Sequence, residues 1–144
     1  METKAKTLMK FAGMTAGVLL AGVSVAQACC PDGGHGAPVA VTGLGESAPR
    51  AENLALDPAW RIYEFERDGV TYLQINDLTG TVRAGVGQIK DTLWVLPMGK
   101  DVARVALPAK NASVQGTVVY RTSRFTVRVV PNTAGDAWVV TATN

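Results

Sequence analysis

Asp68-Gly69 stands between two runs rich in aromatic and β-branched residues, 60–67 (WRIYEFER) and 70–76 (VTYLQIN). A two-residue connection between strands needs positive φ at both central positions. Asp tolerates that conformation and Gly favours it, so the pair predicts a tight antiparallel hairpin. The same texture continues to the end of the chain. Turn signals at 77–80 (DLTG), 90–91 (KD) and 99–101 (GKD) separate runs at 81–89, 92–98 and 102–107. Further runs at 114–121, 125–130 and 138–141 flank 122–124 (TSR) and 131–136 (PNTAGD). Eight short runs at this spacing predict an all-β domain over 57–144, a small antiparallel sandwich or barrel in mainly meandering order. Helical periodicity is absent after residue 56, apart from a capped turn expected at Asp57-Pro58.

Strand alternation then assigns a core. Successive side chains point to opposite faces, so each run offers one buried set. That set is Tyr63 and Phe65, Leu73 and Ile75, Val82 and Val86, Leu93 and Val95, Val118 and Tyr120, Phe125, Val127 and Val129, and Trp138 and Val140. Glu64 and Glu66 then share the opposite face of the first run. A carboxylate pair could serve glycoside hydrolysis, but a charged edge that discourages sheet association is the favoured reading. Gly85-x-Gly87 inside a strand run marks a bulge or a close-packing site.

Charge becomes informative once it is divided along the chain. The sequence holds 14 basic and 12 acidic residues, a formal charge of +2. Lys4, Lys6, Lys10 and Glu2 fall within 1–28, leaving eleven of each sign in 29–144. A neutral remainder argues against a nucleic-acid partner, whose footprint is a basic excess. The lysines precede an uncharged, largely apolar stretch that ends in Ala26-Gln27-Ala28. That order is the pattern of a cleaved secretory signal peptide, here of bacterial type, and predicts a periplasmic or secreted protein.

Residues 29–56 (CCPDGGHGAPVAVTGLGESAPRAENLAL) have the Gly/Pro-rich composition of a flexible tail. Within it, 39–42 (VAVT) is the one stretch with strand character. Cys29, Cys30 and His35 are the only thiols and the only imidazole of the chain. Together they could ligate Cu(I) or Zn²⁺, which makes envelope metal handling the alternative function. A lipid on Cys29 would supply the only membrane attachment, and an intermolecular disulfide is a further option.

The β-domain has no histidine and no cysteine, which excludes a Ser-His-Asp triad, a Cys-His pair or a His-based zinc centre within it. A non-catalytic domain that binds a protein, or a second copy of itself, is therefore expected, without a cofactor. Candidate contact residues are Trp60 and Trp94, as an aromatic patch, and Arg121, Arg124 and Arg128, as a basic face that Arg83 and Arg104 could extend.

Overall fold

A computed structural model describes Ala40 and residues 42–143. The segment 1–28 and the tail residues Cys29, Cys30 and His35 lie outside the described residues. Two four-stranded sheets account for nearly all regular structure among the described residues. The first is the meander β1 (Trp60–Arg67), β2 (Val70–Asp77), β3 (Val82–Ile89) and β4 (Thr92–Val95), in that order. The second contains β5 (Val105–Ala106), β6 (Thr117–Arg121), β7 (Phe125–Val130) and β8 (Ala137–Ala142), in the order β5-β8-β7-β6. Their inner faces meet in one core, with Ile62, Leu73, Ile75, Ala84 and Val86 on one side and Tyr120, Phe125, Val127, Trp138 and Val140 on the other. The arrangement is a sandwich, and not a barrel.

The hairpin signal is realised in the backbone. Asp68 and Gly69 take φ of 53° and 77°, and Arg67 pairs with Val70 across the turn. Asp57 Oδ1 accepts the N–H of Ala59 at 2.8 Å, closing the turn that leads into β1. The antiparallel expectation fails at one place, because β5 joins β8 in parallel. The run 102–107 is also mostly not a strand. Val102–Arg104 form a single 3₁₀ turn, since the Arg104 N–H bonds to the Asp101 carbonyl at 2.7 Å, leaving only Val105–Ala106 to pair.

Three core assignments are corrected by local geometry. In β3 the register slips between Ile75 and Asn76, so Asn76 pairs with Val82 and Arg83 is the extra residue. The inward phase then falls on Ala84 and Val86, and Val82 is only half-buried. A second slip between Val118 and Tyr120 turns Val119 inward in place of Val118. In β1 the parity is reversed: Ile62 opposes Ile75 in the core, and Tyr63 and Phe65 face away from it.

Tyr63 and Phe65 are nonetheless buried, at 8% and 2% exposure. The outer face of the first sheet carries its own cover, made from the region preceding β1. Ala40 forms a parallel bridge to Phe65 and accepts the Glu66 N–H at 2.9 Å. The buried amides of Gln74 and Asn76 bind main chain there. Gln74 Oε1 accepts from the Gly45 N–H at 2.6 Å, and Gln74 Nε2 donates to the Glu46 carbonyl at 2.8 Å. Asn76 Nδ2 donates to the Ser47 carbonyl at 3.1 Å. Asn53 Oδ1 accepts the Ile62 N–H, and the N–H groups of Leu54 and Leu56 reach Ile62 and Val119. The change of texture at Asp57 marks where the ladders begin; the packing begins further toward the N-terminus.

Candidate functional site

Pairing in the first sheet sets its inner side chains in rows across the strands. One row is Ile62, Ile75 and Ala84, and the next is Glu64, Leu73, Val86 and Val95. The last row, at the open end of the sandwich, is Glu66, Thr71, Gln88 and Leu93. Core-facing positions thus turn polar toward this end. Glu64 and Glu66 point inward, contrary to the edge reading of this pair, because β1 presents Ile62 to the core and i, i+2 side chains share a face.

The second sheet answers them. Tyr120, 2% exposed, donates its hydroxyl proton to Glu64 Oε2. Burial, reinforced by the hydrogen bond and charge of Glu64, pushes the Tyr120 phenol above its ordinary range. Arg124, in the β6–β7 turn, directs Nη1 to Thr71 Oγ1, to Glu66 Oε2 at 3.4 Å and toward Glu64 Oε1 at 4.0 Å. Glu66, Thr71 and Arg124 line a cleft of about 370 Å³, whose wall also includes Gln88, Lys90, Asp91 and Thr143. Lys90 and Asp91 form the two-residue turn between Ile89 and Thr92, and Lys90 takes a φ of 51°.

The five residues expected to contact a partner divide among four places. Trp60 packs edge-on against Trp138, with ring centroids 4.6 Å apart and planes at 83°. Trp94 pairs with Gly87 and lies on it, on the outer face of the first sheet, where a Cβ at Gly87 would collide with the indole. Met98 covers Gly85 in the same way. Arg124 belongs to the cleft. Arg121 and Arg128 share the outer face of the second sheet, because Arg121 opposes Thr126 and Arg128 follows two residues along β7. Neither forms an ion pair among the described residues. No aromatic patch joins Trp60 to Trp94, and the basic face reduces to Arg121 and Arg128.

Arg83 and Arg104 are committed elsewhere. Arg83 Nε donates to Asp101 Oδ2 at 2.7 Å, and Arg104 Nη2 pairs with Asp101 Oδ1. The hydrogen bond to Asp101 raises the Arg83 guanidinium further above its already high value. No group of three or more metal-ligating side chains occurs among the described residues, and no helix among them is long and apolar enough to cross a membrane.

Thr71, Gln88 and Lys90 were not among the candidates, although alternation points to two of them. Thr71 lies two residues before inward Leu73, and Gln88 two after inward Val86. Comparison with family models, curated proteins and solved structures finds no match to this chain.

Proposed function

We propose that this chain is an exported, non-catalytic β-domain that docks an acidic protein partner in the cell envelope or outside it, through the outer face of the second sheet. One observation carries the reading. The strands of that sheet (VA, TVVYR, FTVRVV and AWVVTA) contain Arg121 and Arg128 and no carboxylate. Diagonal positions on neighbouring strands are separated by roughly 7–8 Å, so the two guanidinium groups can engage carboxylates two residues apart on an extended segment. Arg suits this use because its planar fork binds carboxylates bidentately. A second copy of the chain is a poor occupant, since a two-fold contact would set Arg against Arg.

A photo-crosslinking residue at position 128, compared with one at exposed Thr92 of the first sheet, tests the docking face in the native host. The expected product forms from 128 and not from 92. The identified partner, once purified, should bind the double variant Arg121→Glu/Arg128→Glu at least about tenfold more weakly than the original protein, with the loss reduced at high salt. A product common to both positions, a dimer of the chain itself, or unchanged affinity of the double variant would overturn the reading.

A further inference from the structure

The cleft at the polar end of the sandwich is independent of the docking face, since Arg124 turns inward and Arg121 and Arg128 outward. We propose that it is a binding site for a zwitterionic ligand of amino-acid type, either a free amino acid or a short peptide with both ends free.

Gln88 supplies the first reason. The residue is 7% exposed, lines the cleft, and its side chain makes no hydrogen bond among the described residues. The neighbouring inward polar groups are satisfied: Thr71 by Arg124, and Glu64 by Tyr120. The amide donor and acceptor are open to the cleft and so available to a ligand. The volume of about 370 Å³ falls within the range of small-ligand sites.

The charges select the ligand. The cleft wall carries both signs: Arg124 lies 3.4 Å from Glu66, and Lys90 shares its two-residue turn with Asp91, which Lys110 approaches at 3.7 Å. A simple anion entering here meets Glu66 and Asp91, and a simple cation meets Arg124 and Lys90. A ligand carrying both signs meets its complement at each end, its carboxylate toward a cation and its ammonium toward a carboxylate. Arg124 keeps Nε and Nη2 for this purpose, since its contacts among the described residues use only Nη1. Lys90 is displayed at the rim by a left-handed backbone that lysine seldom adopts.

Calorimetric titration of the protein purified from its host tests the site, with L-alanine and trialanine as probes. Each is compared with its N-acetylated form and its C-terminal amide. Saturable binding of at least one free probe is expected, weakened about tenfold or more by blocking either end. The tighter of the two probes identifies the source. Gln88→Leu, close in volume, and Lys90→Gly, compatible with the backbone, should each weaken binding about tenfold while the fold is retained. The proposal is overturned by the absence of saturable binding up to about 10 mM, by blocked and free probes binding equally, or by Gln88→Leu binding as the original does. Any of these results leaves the docking reading standing, because that reading is scored by crosslinking from position 128.

Discussion

Trp138 Nε1 donates to Asp101 Oδ2 at 3.0 Å, and both residues are completely buried. The largest side chain of the core therefore ends on a carboxylate with no access to water. That carboxylate also receives Arg83 and Arg104, so its lone pairs are filled from three directions. The β3 bulge makes this possible, because the extra residue it inserts is Arg83. The cluster binds the first sheet, the 3₁₀ turn and β8 together at the end of the sandwich that bears the parallel β5–β8 pairing.

Replacing Asp101 should be among the most damaging single changes. Asp101→Ala would leave the buried indole N–H of Trp138 without its acceptor and take a carboxylate partner from both Arg83 and Arg104. Breaking a buried ion pair from one side costs about 3–5 kcal/mol, a large part of the stability of a domain this size. Trp138→Phe leaves Asp101 with both arginines but creates a cavity, at a cost of about 1–3 kcal/mol. Equilibrium urea unfolding of the two variants should preserve that order.

Gly87 and Trp94 form a second dependent pair. A methyl group at 87 overlaps the indole of Trp94, and overpacking costs about 1–3 kcal/mol. In Gly87→Ala the indole must leave its seat, so its fluorescence should move toward that of a solvated tryptophan. Combining Gly87→Ala with Trp94→Ala should cost less than the sum of the two single changes, with a coupling of about 0.5–3 kcal/mol. Strict additivity would show that the indole does not rest on Gly87.

The strands and their turns were legible because they depend on neighbouring residues. Asp68-Gly69 specifies its own backbone, and alternation in β7 put Phe125, Val127 and Val129 inside. Bulges at Arg83 and Val119 reset the phase of β3 and β6, and no local signal announces them. The reversed parity of β1 depends on long-range partners. Glu64 and Glu66 face inward only because Tyr120 and Arg124, more than fifty residues away, receive them. Tyr63 and Phe65 face outward only because the segment before β1 covers them. Of the cleft, Arg124 was identified from its side-chain type, but its separation from Arg121 and Arg128 follows from which way a turn points.

Tyr120 and Glu64 make the next prediction. Tyr120→Phe removes the donor to a carboxylate that is only 9% exposed, at a cost of about 1–3 kcal/mol. The phenol is raised above its ordinary range, so its contribution is fully present below pH about 10, where an unfolded tyrosine begins to ionise. It is lost as pH rises through the higher folded value. Tyr120 should ionise only as the fold is lost, which tyrosinate absorbance followed alongside circular dichroism, against the Tyr120→Phe variant, would show.

Asp77 behaves in the opposite sense. The Thr79 hydroxyl holds its carboxyl below the usual range, and the N–H groups of Thr81 and Thr79 and the Arg83 guanidinium act the same way against burial. A lowered carboxyl stabilises above its unfolded pKa near 4, and the contribution disappears as pH falls through the folded value. Asp77→Asn should therefore destabilise by about 1–2 kcal/mol near neutral pH and progressively less below pH about 4. Urea midpoints measured across that range for both proteins would check the convergence.

Lys90 sets stability against binding. With a φ of 51° it occupies a conformation that costs a residue with a Cβ about 1–2 kcal/mol and glycine almost nothing. Part of that gain is offset, because glycine adds freedom to the unfolded chain. Lys90→Gly should then raise stability by about 0.5–1 kcal/mol, visible as a higher urea midpoint at unchanged slope. If the cleft holds its zwitterion through this lysine, the same substitution weakens ligand binding about tenfold. A stability gain with unchanged affinity would assign the strain to the turn alone and remove Lys90 from the site.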